Sequence, residues 1–254
     1  MSVRWHADGP VGHIRLDRPE ARNAITVDLA RRLTEAVLEL ASRNDIRVLV
    51  LRGEGADFCA GGDVAELAAL HEGGREAMAR LFDEFGRALR AITSVPVPVV
   101  AAVHGHAVAG GFELMQACDL AVVRADARIA DIHSRFGQVP GGGSTQRLPR
   151  IAGKQRALGL ILTGDEITGT TAVEWGLAYR AARPAEFEST VDTVVERLLA
   201  NPPAAMAHSK RLVHRALDLP LEEGLALETE TVLDHLAGEG PAAFAAFSRR
   251  KATP

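Results

Sequence analysis

The sequence predicts an α/β core followed by a helical C-terminal region. Strand-like apolar runs alternate with amphipathic helical patterns as far as Pro140, whereas the pattern from Leu148 onward is mostly helical. Apolar residues make up 47% of the 254 residues and charged residues 24%, so the chain has enough apolar surface to form a folded core. No Ser- or Pro-rich linker separates the two parts, which we place at residues 1–200 and 201–254.

The first predicted elements are a strand, a capped helix and a buried strand. Val11–Leu16 alternates in polarity as a half-buried strand does. Thr26 is predicted to cap a helix, because the apolar residues that follow fall on one helical face: Leu29, Leu33, Val37 and Leu40. Ile46–Leu51 is a continuous apolar run bounded by Gly53, which is typical of a strand buried on both faces.

The middle of the chain continues this alternation. A second amphipathic helix is predicted from an apolar stripe at helical spacing: Met78, Leu81, Phe82, Phe85, Leu89 and Ile92. A short helix from Gly110 to Cys118 is surrounded by strand-like runs: Val97–Val103, Asp119–Val123 and Ile129–Ile132. In the C-terminal region Asn201-Pro202-Pro203 separates two helices, and Pro241 opens a last short helix carrying Phe244 and Phe247.

Charge and cysteine content exclude several classes of protein. The 29 basic and 33 acidic residues give a net charge of −4, whereas nucleic-acid-binding proteins usually carry a basic excess. Two cysteines, Cys59 and Cys118, are too few for a disulfide framework and favour a reducing compartment. No secretory signal is apparent, and no apolar run approaches the ~18 residues of a membrane span. We therefore expect a cytoplasmic protein with neither a nucleic-acid nor a membrane partner.

The 24 glycines are concentrated in three clusters. These are Phe58-Cys59-Ala60-Gly61-Gly62-Asp63, the segment His104–Glu113, and Gly137–Thr145. The first two follow a predicted strand and precede a helical segment, where glycine permits close ligand approach and unpaired amides are available. Two such turns brought together would aim two peptide N–H groups at one oxygen, as in an oxyanion hole. The alternative is that the glycines only form tight turns. Neither GxGxxG nor GxxxxGK[ST] occurs, so dinucleotide and P-loop sites have no support.

Several motifs occur in a specific order over nearly the whole chain. They are Arg18–Ala24, Phe58–Asp63, Val99–Gly105 with Ala109–Leu114, Cys118-Asp119-Leu120, Pro140–Leu148 and Leu162–Asp165. Together they resemble the crotonase superfamily, which comprises the enoyl-CoA hydratases and isomerases. The resemblance implies a spiral of ββα turns with a helical C-terminal trimerisation region, assembled as a homotrimer or dimer of trimers. It also implies an acyl-CoA thioester substrate, with no metal and no cofactor beyond the CoA moiety.

The resemblance also implies roles for individual residues. The amides of Gly62 and Gly110 correspond to the oxyanion donors that stabilise a thioester enolate. The CoA groove would be lined by Arg22, Ala24, Ala60 and Asp63. Three further residues would contact the nucleotide end, from this subunit or a neighbouring one: Lys210, Phe247 and Lys251.

The sequence departs from the family pattern at one catalytic position. Hydratases of this family use two glutamates, and Glu113 matches the first. Counting back from Pro140 puts His133 at the second, with no glutamate among its neighbours. An imidazole exchanges protons near neutrality. If residues 129–133 form a strand, Asp131 lies on the same face and would orient that ring. The alternatives are a first-turn charge for Glu113 and a pocket-wall position for His133.

Other reactive side chains carry weaker signals. His104 and His106 have the spacing of a metal pair but no further ligands, so structural positions are favoured. Cys59 precedes a candidate oxyanion amide but has no evident base, which favours a small packed thiol.

We therefore interpret the chain as an enoyl-CoA hydratase/isomerase that works through an enolate, with Glu113 as principal acid/base and His133 as a second. Two alternatives stay open. One is an acyl-CoA hydrolase or decarboxylase on the same scaffold, because these reactions need mainly the oxyanion hole. The other is an acyl-CoA-binding protein with little or no catalysis, since one glutamate is missing.

Overall fold

The computed structural model describes residues 1–238. The strands of this part of the chain are β1 (Val3–Asp8), β2 (Val11–Leu16), β3 (Val48–Gly53), β4 (Val99–Val103), β5 (His106–Val108), β6 (Leu120–Arg124), β7 (Arg128–Ala130), β8 (Glu166–Thr168) and β9 (Arg180–Ala182). A six-stranded sheet has the order β1-β2-β3-β4-β6-β9 and is parallel except for the β1–β2 hairpin. A second sheet has the order β5-β7-β8.

Helices pack on both faces of the large sheet. They are α1 (Val27–Ala41), α2 (Val64–Glu72), α3 (Gly74–Ser94), α4 (Gly110–Ala117), α5 (Ser144–Ala152), α6 (Lys154–Thr163), α7 (Gly169–Glu174), α8 (Phe187–Leu199), α9 (Pro203–Ala216) and α10 (Leu221–Ala237). One face of the sheet carries the main apolar core with α1, α3 and α4, and α8 covers the other face. The parallel strands are almost wholly buried because they are covered on both sides.

Local sequence explains why the first helix begins where it does. The Thr26 hydroxyl accepts a hydrogen bond from the Leu29 amide at 3.0 Å, so the predicted N-cap is confirmed. Leu29, Leu33 and Val37 are buried on the face that packs against α3. The predicted α/β core and helical C-terminal region are likewise present.

Several predicted boundaries need correction. β3 runs two residues beyond the predicted Ile46–Leu51 run, because Arg52 and Gly53 still pair with β2. β4 begins at Val99, after Pro98, and β7 ends at Ala130. The predicted strand over Ile129–Ile132 therefore ends two residues early, and a 3₁₀ helix, His133–Phe136, follows. The predicted helix that begins at Pro241 lies outside the described residues.

Helix α9 is joined to the core by a partly buried charge cluster around Asp119. Lys210 of α9 places its Nζ 2.8 Å from Asp119 Oδ2, and His214 places its Nε2 2.7 Å from Asp119 Oδ1. Lys210 Nζ also donates to the carbonyl oxygens of Ile92 and Val97. The Val99 amide donates to Asp119 Oδ2 at 2.7 Å. Asp119 therefore connects α9 to the start of β4.

None of the helices described between Met1 and Gly238 combines the length and the apolar character needed to cross a membrane. The division into residues 1–200 and 201–254 stays a prediction, although α8 and α9 do flank the predicted break at Asn201-Pro202.

We predict that Asp119→Ala lowers the free energy of unfolding by about 3–5 kcal/mol, because it leaves the Lys210 ammonium buried without its counter-charge. Urea unfolding measures this change. Asp218→Ala is the matched control, since Asp218 is exposed beyond the end of α9 and a surface change of this kind stays within about 0.5 kcal/mol. Equal changes in the free energy of unfolding for the two variants would contradict the conclusion that Asp119 connects α9 to β4.

Candidate active site

Glu113 lies in the first turn of α4, and its side chain is almost completely buried, with 1% of the residue exposed. α4 begins after Ala109, whose φ of 48° and ψ of −120° lie in a region that favours glycine. Two hydrogen bonds hold this strained residue. Its amide donates to the carbonyl of Ala130, and its own carbonyl accepts from the Glu113 amide. The strained turn therefore determines where α4 starts and where Glu113 lies.

Two backbone amides hold the Glu113 carboxylate. Its Oε1 accepts hydrogen bonds from the Gly142 amide at 2.7 Å and from the Ser144 amide at 3.0 Å. Glycine is required at position 142, because a Cβ there would lie 2.4 Å from Phe85 Cε1 and 2.6 Å from Glu113 Oε2. The third glycine cluster thus supplies partners for a buried carboxylate, which would otherwise be costly to bury.

Burial raises the pKa of Glu113, and the Ser144 amide, the His133 ring and the Gly142 amide offset this only in part. The second carboxylate oxygen, Oε2, makes no hydrogen bond to the described part of the chain. It faces the His133 ring, with 3.8 Å between Oε2 and Nε2. Glu113 is therefore a carboxyl group of raised pKa with one oxygen available to a reactant.

His133 lies at the start of the 3₁₀ helix and is held by Asp131. The Asp131 Oδ1 atom is 2.7 Å from His133 Nδ1, so the predicted contact is present although the predicted strand is not. Burial by itself lowers the pKa of His133, but the hydrogen bond to Asp131 and the charges of Asp131 and Glu113 outweigh it and raise the pKa above its ordinary value. His133 and Glu113, predicted from separate parts of the sequence, are brought together.

The loops that carry Gly62 and Gly110 lie side by side. Cys59 pairs with β5: its amide donates to His106, and its carbonyl accepts from Val108. A Cβ on Gly111 would lie 2.1 Å from the Cys59 carbonyl oxygen, so only glycine allows this approach. A Cβ on Gly61 would lie 3.5 Å from the Gly110 nitrogen. Within residues 1–238, neither the Gly62 nor the Gly110 amide has a hydrogen-bond acceptor.

The four predicted CoA-groove residues lie on two adjoining segments. The Ala60 amide donates to the carbonyl of Arg22, whose φ is 52°. Asp63 caps α2 by accepting from the amides of Ala65 and Glu66, and it also forms an ion pair with Arg18. Arg18 in turn donates to the carbonyl of Ala24 at 2.7 Å. Hydrogen bonds and an ion pair therefore hold residues 22–24 and 60–63 against each other.

Arg22 is held by a residue that the sequence reasoning missed. Its Nε donates to Asp57 Oδ2 at 2.8 Å, and Asp57 Oδ1 accepts from both the amide and the Nδ1 of His106. Burial works against ionisation of Asp57, but these hydrogen bonds lower its pKa to about 2. The Gly142 and Ser144 amides were missed as well, because a backbone group carries no signal in the sequence.

Of the three residues predicted to contact the nucleotide end, the structure describes Lys210. The three donors of the Lys210 ammonium are taken by Asp119 and the two carbonyls already described, so Lys210 has a structural role within the chain. Its contact with a nucleotide stays a prediction. Phe247 and Lys251 lie outside the described residues.

The alternative reactive side chains have ordinary partners. His104 Nε2 lies 3.0 Å from the carbonyl of Gly55, and His106 is paired with Asp57. Among residues 1–238, no group of three or more His, Cys, Asp or Glu side chains is arranged to hold a metal ion. Burial raises the pKa of the Cys59 thiol to about 12, so a packed thiol is the better description.

Comparisons with known proteins agree in pointing to one family. A profile described as enoyl-CoA hydratase/isomerase matches residues 6–249. A short-chain-enoyl-CoA hydratase of Clostridium acetobutylicum is 30% identical over 90% of this chain and 87% of that protein. The carnitinyl-CoA dehydratase of Salmonella paratyphi A is 33% identical, over 96% and 95%.

Solved structures agree in the same way. An enoyl-CoA hydratase of Mycobacterium smegmatis superposes with a TM-score of 0.92 at 30% identity, covering 98% of this chain and 97% of that one. A Thermobifida fusca protein solved with acetoacetyl-CoA superposes with a TM-score of 0.86 at 29% identity, covering 93% and 95%. The predicted crotonase-like fold is therefore confirmed.

We predict that Gly142→Ala lowers the free energy of unfolding by about 1–3 kcal/mol, because the added methyl group must displace Phe85 or Glu113. Thermal unfolding measures this change. Gly159→Ala is the matched control. Gly159 lies within α6 with open space at its Cβ position, so alanine is expected to stabilise that helix by up to about 1 kcal/mol. Two similar shifts would contradict the close packing described at Gly142.

Proposed function

The chain belongs to the enoyl-CoA hydratase/isomerase family and is an enzyme of that family, and from this premise we propose that it hydrates or isomerises an enoyl-CoA thioester through an enolate. One observation carries the proposal. A carboxylate oxygen of Glu113 and an imidazole nitrogen of His133 face each other, and Glu113 lies in the helical turn that Gly110 begins. Within residues 1–238 the amides of Gly110 and Gly62 have no hydrogen-bond acceptor. The arrangement supplies a base, an acid and an oxyanion site.

The two amides are proposed to bind the thioester oxygen. Negative charge develops on that oxygen when water attacks the β-carbon or when an α-proton is removed. Two N–H groups already fixed by the fold stabilise this charge without reorganising, and each such donor contributes roughly 2.7–4 kcal/mol in the transition state. The strain at Ala109 supports the role, because it fixes the direction of the next amide, that of Gly110.

Glu113 and His133 are proposed to handle the water and its protons. A water molecule to one side of the line that joins Oε2 and Nε2, 3.8 Å apart, can be within hydrogen-bond distance of both atoms. Glu113 Oε2 takes a proton from this water as its oxygen bonds to the β-carbon. The electron pair of the double bond moves to the enolate, and the α-carbon then takes a proton from His133 Nε2. Dehydration is the reverse of these steps.

The alternatives fit the site less well. Decarboxylation or thioester hydrolysis needs mainly the two amides and substrate placement. Decarboxylation needs no base that takes a proton from water, and a binding protein needs neither an acid nor a base. No metal ion or redox cofactor takes part in the proposed steps.

The adjoining segments 22–24 and 60–63 are proposed to bind the CoA moiety. The solved relative from Thermobifida fusca was obtained with acetoacetyl-CoA, which supports an acyl-CoA ligand. Arg22 adds a chemical argument. Its Nε is bound by Asp57, and the rest of its half-exposed guanidinium can bind a phosphate. CoA supplies such phosphates, so Asp57 would orient Arg22 towards them.

The C-terminal helices are proposed to assemble the chain into a homotrimer or a dimer of trimers. Large apolar side chains of α9 and α10 are exposed in the single chain: Val213, Leu225, Val232, Leu233 and Leu236. An apolar surface of this kind usually marks an interface. A second copy is the occupant that the family resemblance favours.

We predict that Glu113→Gln lowers kcat on 2-enoyl-CoA or 3-enoyl-CoA substrates by about 10²–10⁴-fold, because an amide cannot take the proton from water. Absorbance follows the loss of the conjugated double bond of a 2-enoyl-CoA or its formation from a 3-enoyl-CoA, and mass spectrometry identifies the product. Glu174→Gln, an exposed change on α7, is the control and should keep wild-type activity.

The other outcomes separate the alternatives. Release of CoA thiol or carbon dioxide would assign the hydrolase or decarboxylase. Tight acyl-CoA binding in calorimetry without any product would assign the binding protein. Equal rates for Glu113→Gln and wild type on every thioester would refute the proposed role of Glu113.

We predict that the wild-type protein sediments as a trimer or hexamer and that Leu233→Glu reduces its mass, because a charge is placed in the apolar contact. Sedimentation velocity makes the measurement. Leu38→Glu is the matched control, since Leu38 is an exposed leucine on α1, away from the C-terminal helices. A monomeric wild type would contradict the proposed assembly.

A further inference from the structure

The carboxyl group of Asp131 lies near the proposed reaction site, and neither the fold nor the steps proposed above explain why it is buried there. Asp131 is completely buried, and it follows directly after β7. Its Oδ1 is 2.7 Å from His133 Nδ1 and 3.3 Å from the His133 amide nitrogen. Its Oδ2 is buried and has no hydrogen-bond partner in the described part of the chain. Burying a carboxyl oxygen without a hydrogen bond costs free energy of folding, and stabilising the turn at His133 does not by itself explain that cost.

We infer that Asp131 is a positioning residue that fixes the His133 ring and keeps its Nε2 directed at Glu113 as a proton donor. The inference rests on the proposed function and extends it to a residue that does not touch the substrate. With Asp131 Oδ1 accepting a hydrogen bond from Nδ1, the ring cannot turn, and Nε2 is the atom left facing the 3.8 Å gap.

The charges around the ring favour its protonated form. Glu113 faces it from α4, and Asp131 faces it from the end of β7. α6 presents the carbonyls of Ile161 and Leu162, which accept from the hydroxyl of Ser134. Arg147 of α5 lies beyond Glu113, with Nη1 donating to the carbonyl of Gly142. In this set the two nearest groups are both carboxylates, so an imidazolium at His133 is stabilised.

The arrangement compensates for the missing glutamate. A carboxylic acid that donates a proton must be kept neutral, usually by burial. An imidazolium also donates a proton but carries a positive charge. It therefore needs a counter-ion, and this counter-ion must bind Nδ1 so that it does not compete for the proton donated by Nε2. Asp131 binds Nδ1, on the far side of the ring from Glu113, and therefore satisfies both requirements.

A purely structural role is the competing explanation, and Asp131→Asn separates the two. Asparagine keeps an oxygen that accepts from the His133 amide and from Nδ1, so the turn is preserved, but the negative charge is removed. The pKa of His133 is then expected to fall by about 1–3 units, the range for loss of one close opposite charge.

The first measurement does not depend on catalysis. The His133 ring is titrated by NMR in the wild-type protein and in Asp131→Asn, with His133→Gln identifying the signal among the nine histidines. His71→Gln, at an exposed position on α2, is the control and leaves the His133 titration unchanged. A shift of less than about 0.3 units, with only a lower thermal midpoint, would overturn the inference.

A second measurement uses the wild-type protein alone and covers the case in which Asp131→Asn does not fold. Nitrogen-15 shifts above the His133 pKa are expected to place the remaining ring proton on Nδ1, where Asp131 accepts it. A histidine side chain without such a partner prefers to carry the proton on Nε2. A proton found on Nε2 would overturn the inference whatever the variant does.

The third measurement is the pH dependence of turnover. Glu113 must be ionised and His133 protonated, so kcat rises as pH passes the pKa of Glu113 and falls as it passes that of His133. Asp131→Asn should move the falling limb to lower pH by the same amount as the NMR titration, with KM nearly unchanged. A falling limb that stays in place would contradict the inference. If no acyl-CoA is turned over by wild type, the proposed function fails while the NMR result still tests Asp131.

Discussion

The burial of the Glu113 carboxylate is the constraint on which the rest of the site depends. A carboxylate away from water needs hydrogen-bond donors, and here the Gly142 and Ser144 amides provide them. This requirement explains the glycine loop before α5. It also explains the absence of a side chain where Phe85 of α3 packs on that loop. One ionisable group thus determines how α3, α4 and α5 meet.

The proposed use of His133 as a second proton-transferring group places an imidazole opposite the Glu113 carboxylate. Burial against a neighbouring carboxylate would keep a glutamic acid neutral, whereas a histidine in the same place becomes a cation. The cation is stabilised by the Glu113 carboxylate, but a second group must bind Nδ1 so that Nε2 stays directed at Glu113. The short loop between β7 and the 3₁₀ helix makes this possible, because it places Asp131 only two residues from His133.

Ion pairs hold together loops that the sheet alone would leave independent. Arg18 joins the loop after β2 to Asp63 at the start of α2, and Arg22 joins it to Asp57 in the loop after β3. These contacts lie at the carboxyl ends of parallel strands, where α/β proteins usually bind ligands. Asp119 likewise joins α9 to the sheet through its ion pair with Lys210. Ion pairs of charged side chains therefore fix the positions of these loops and of α9 relative to the sheet.

The sequence by itself determined the features that depend on local spacing. These are the alternation of strands and helices in the first part of the chain, the Thr26 cap, the turns that carry Gly62 and Gly110, and the position of Glu113 in a first helical turn. It also predicted the Asp131–His133 contact, since residues two apart meet in a turn as well as in a strand. Only the tertiary structure decided the partners of Glu113 and of Lys210. Their partners include backbone groups 29 and 118 residues away, and a backbone amide or carbonyl is identical in every residue except proline.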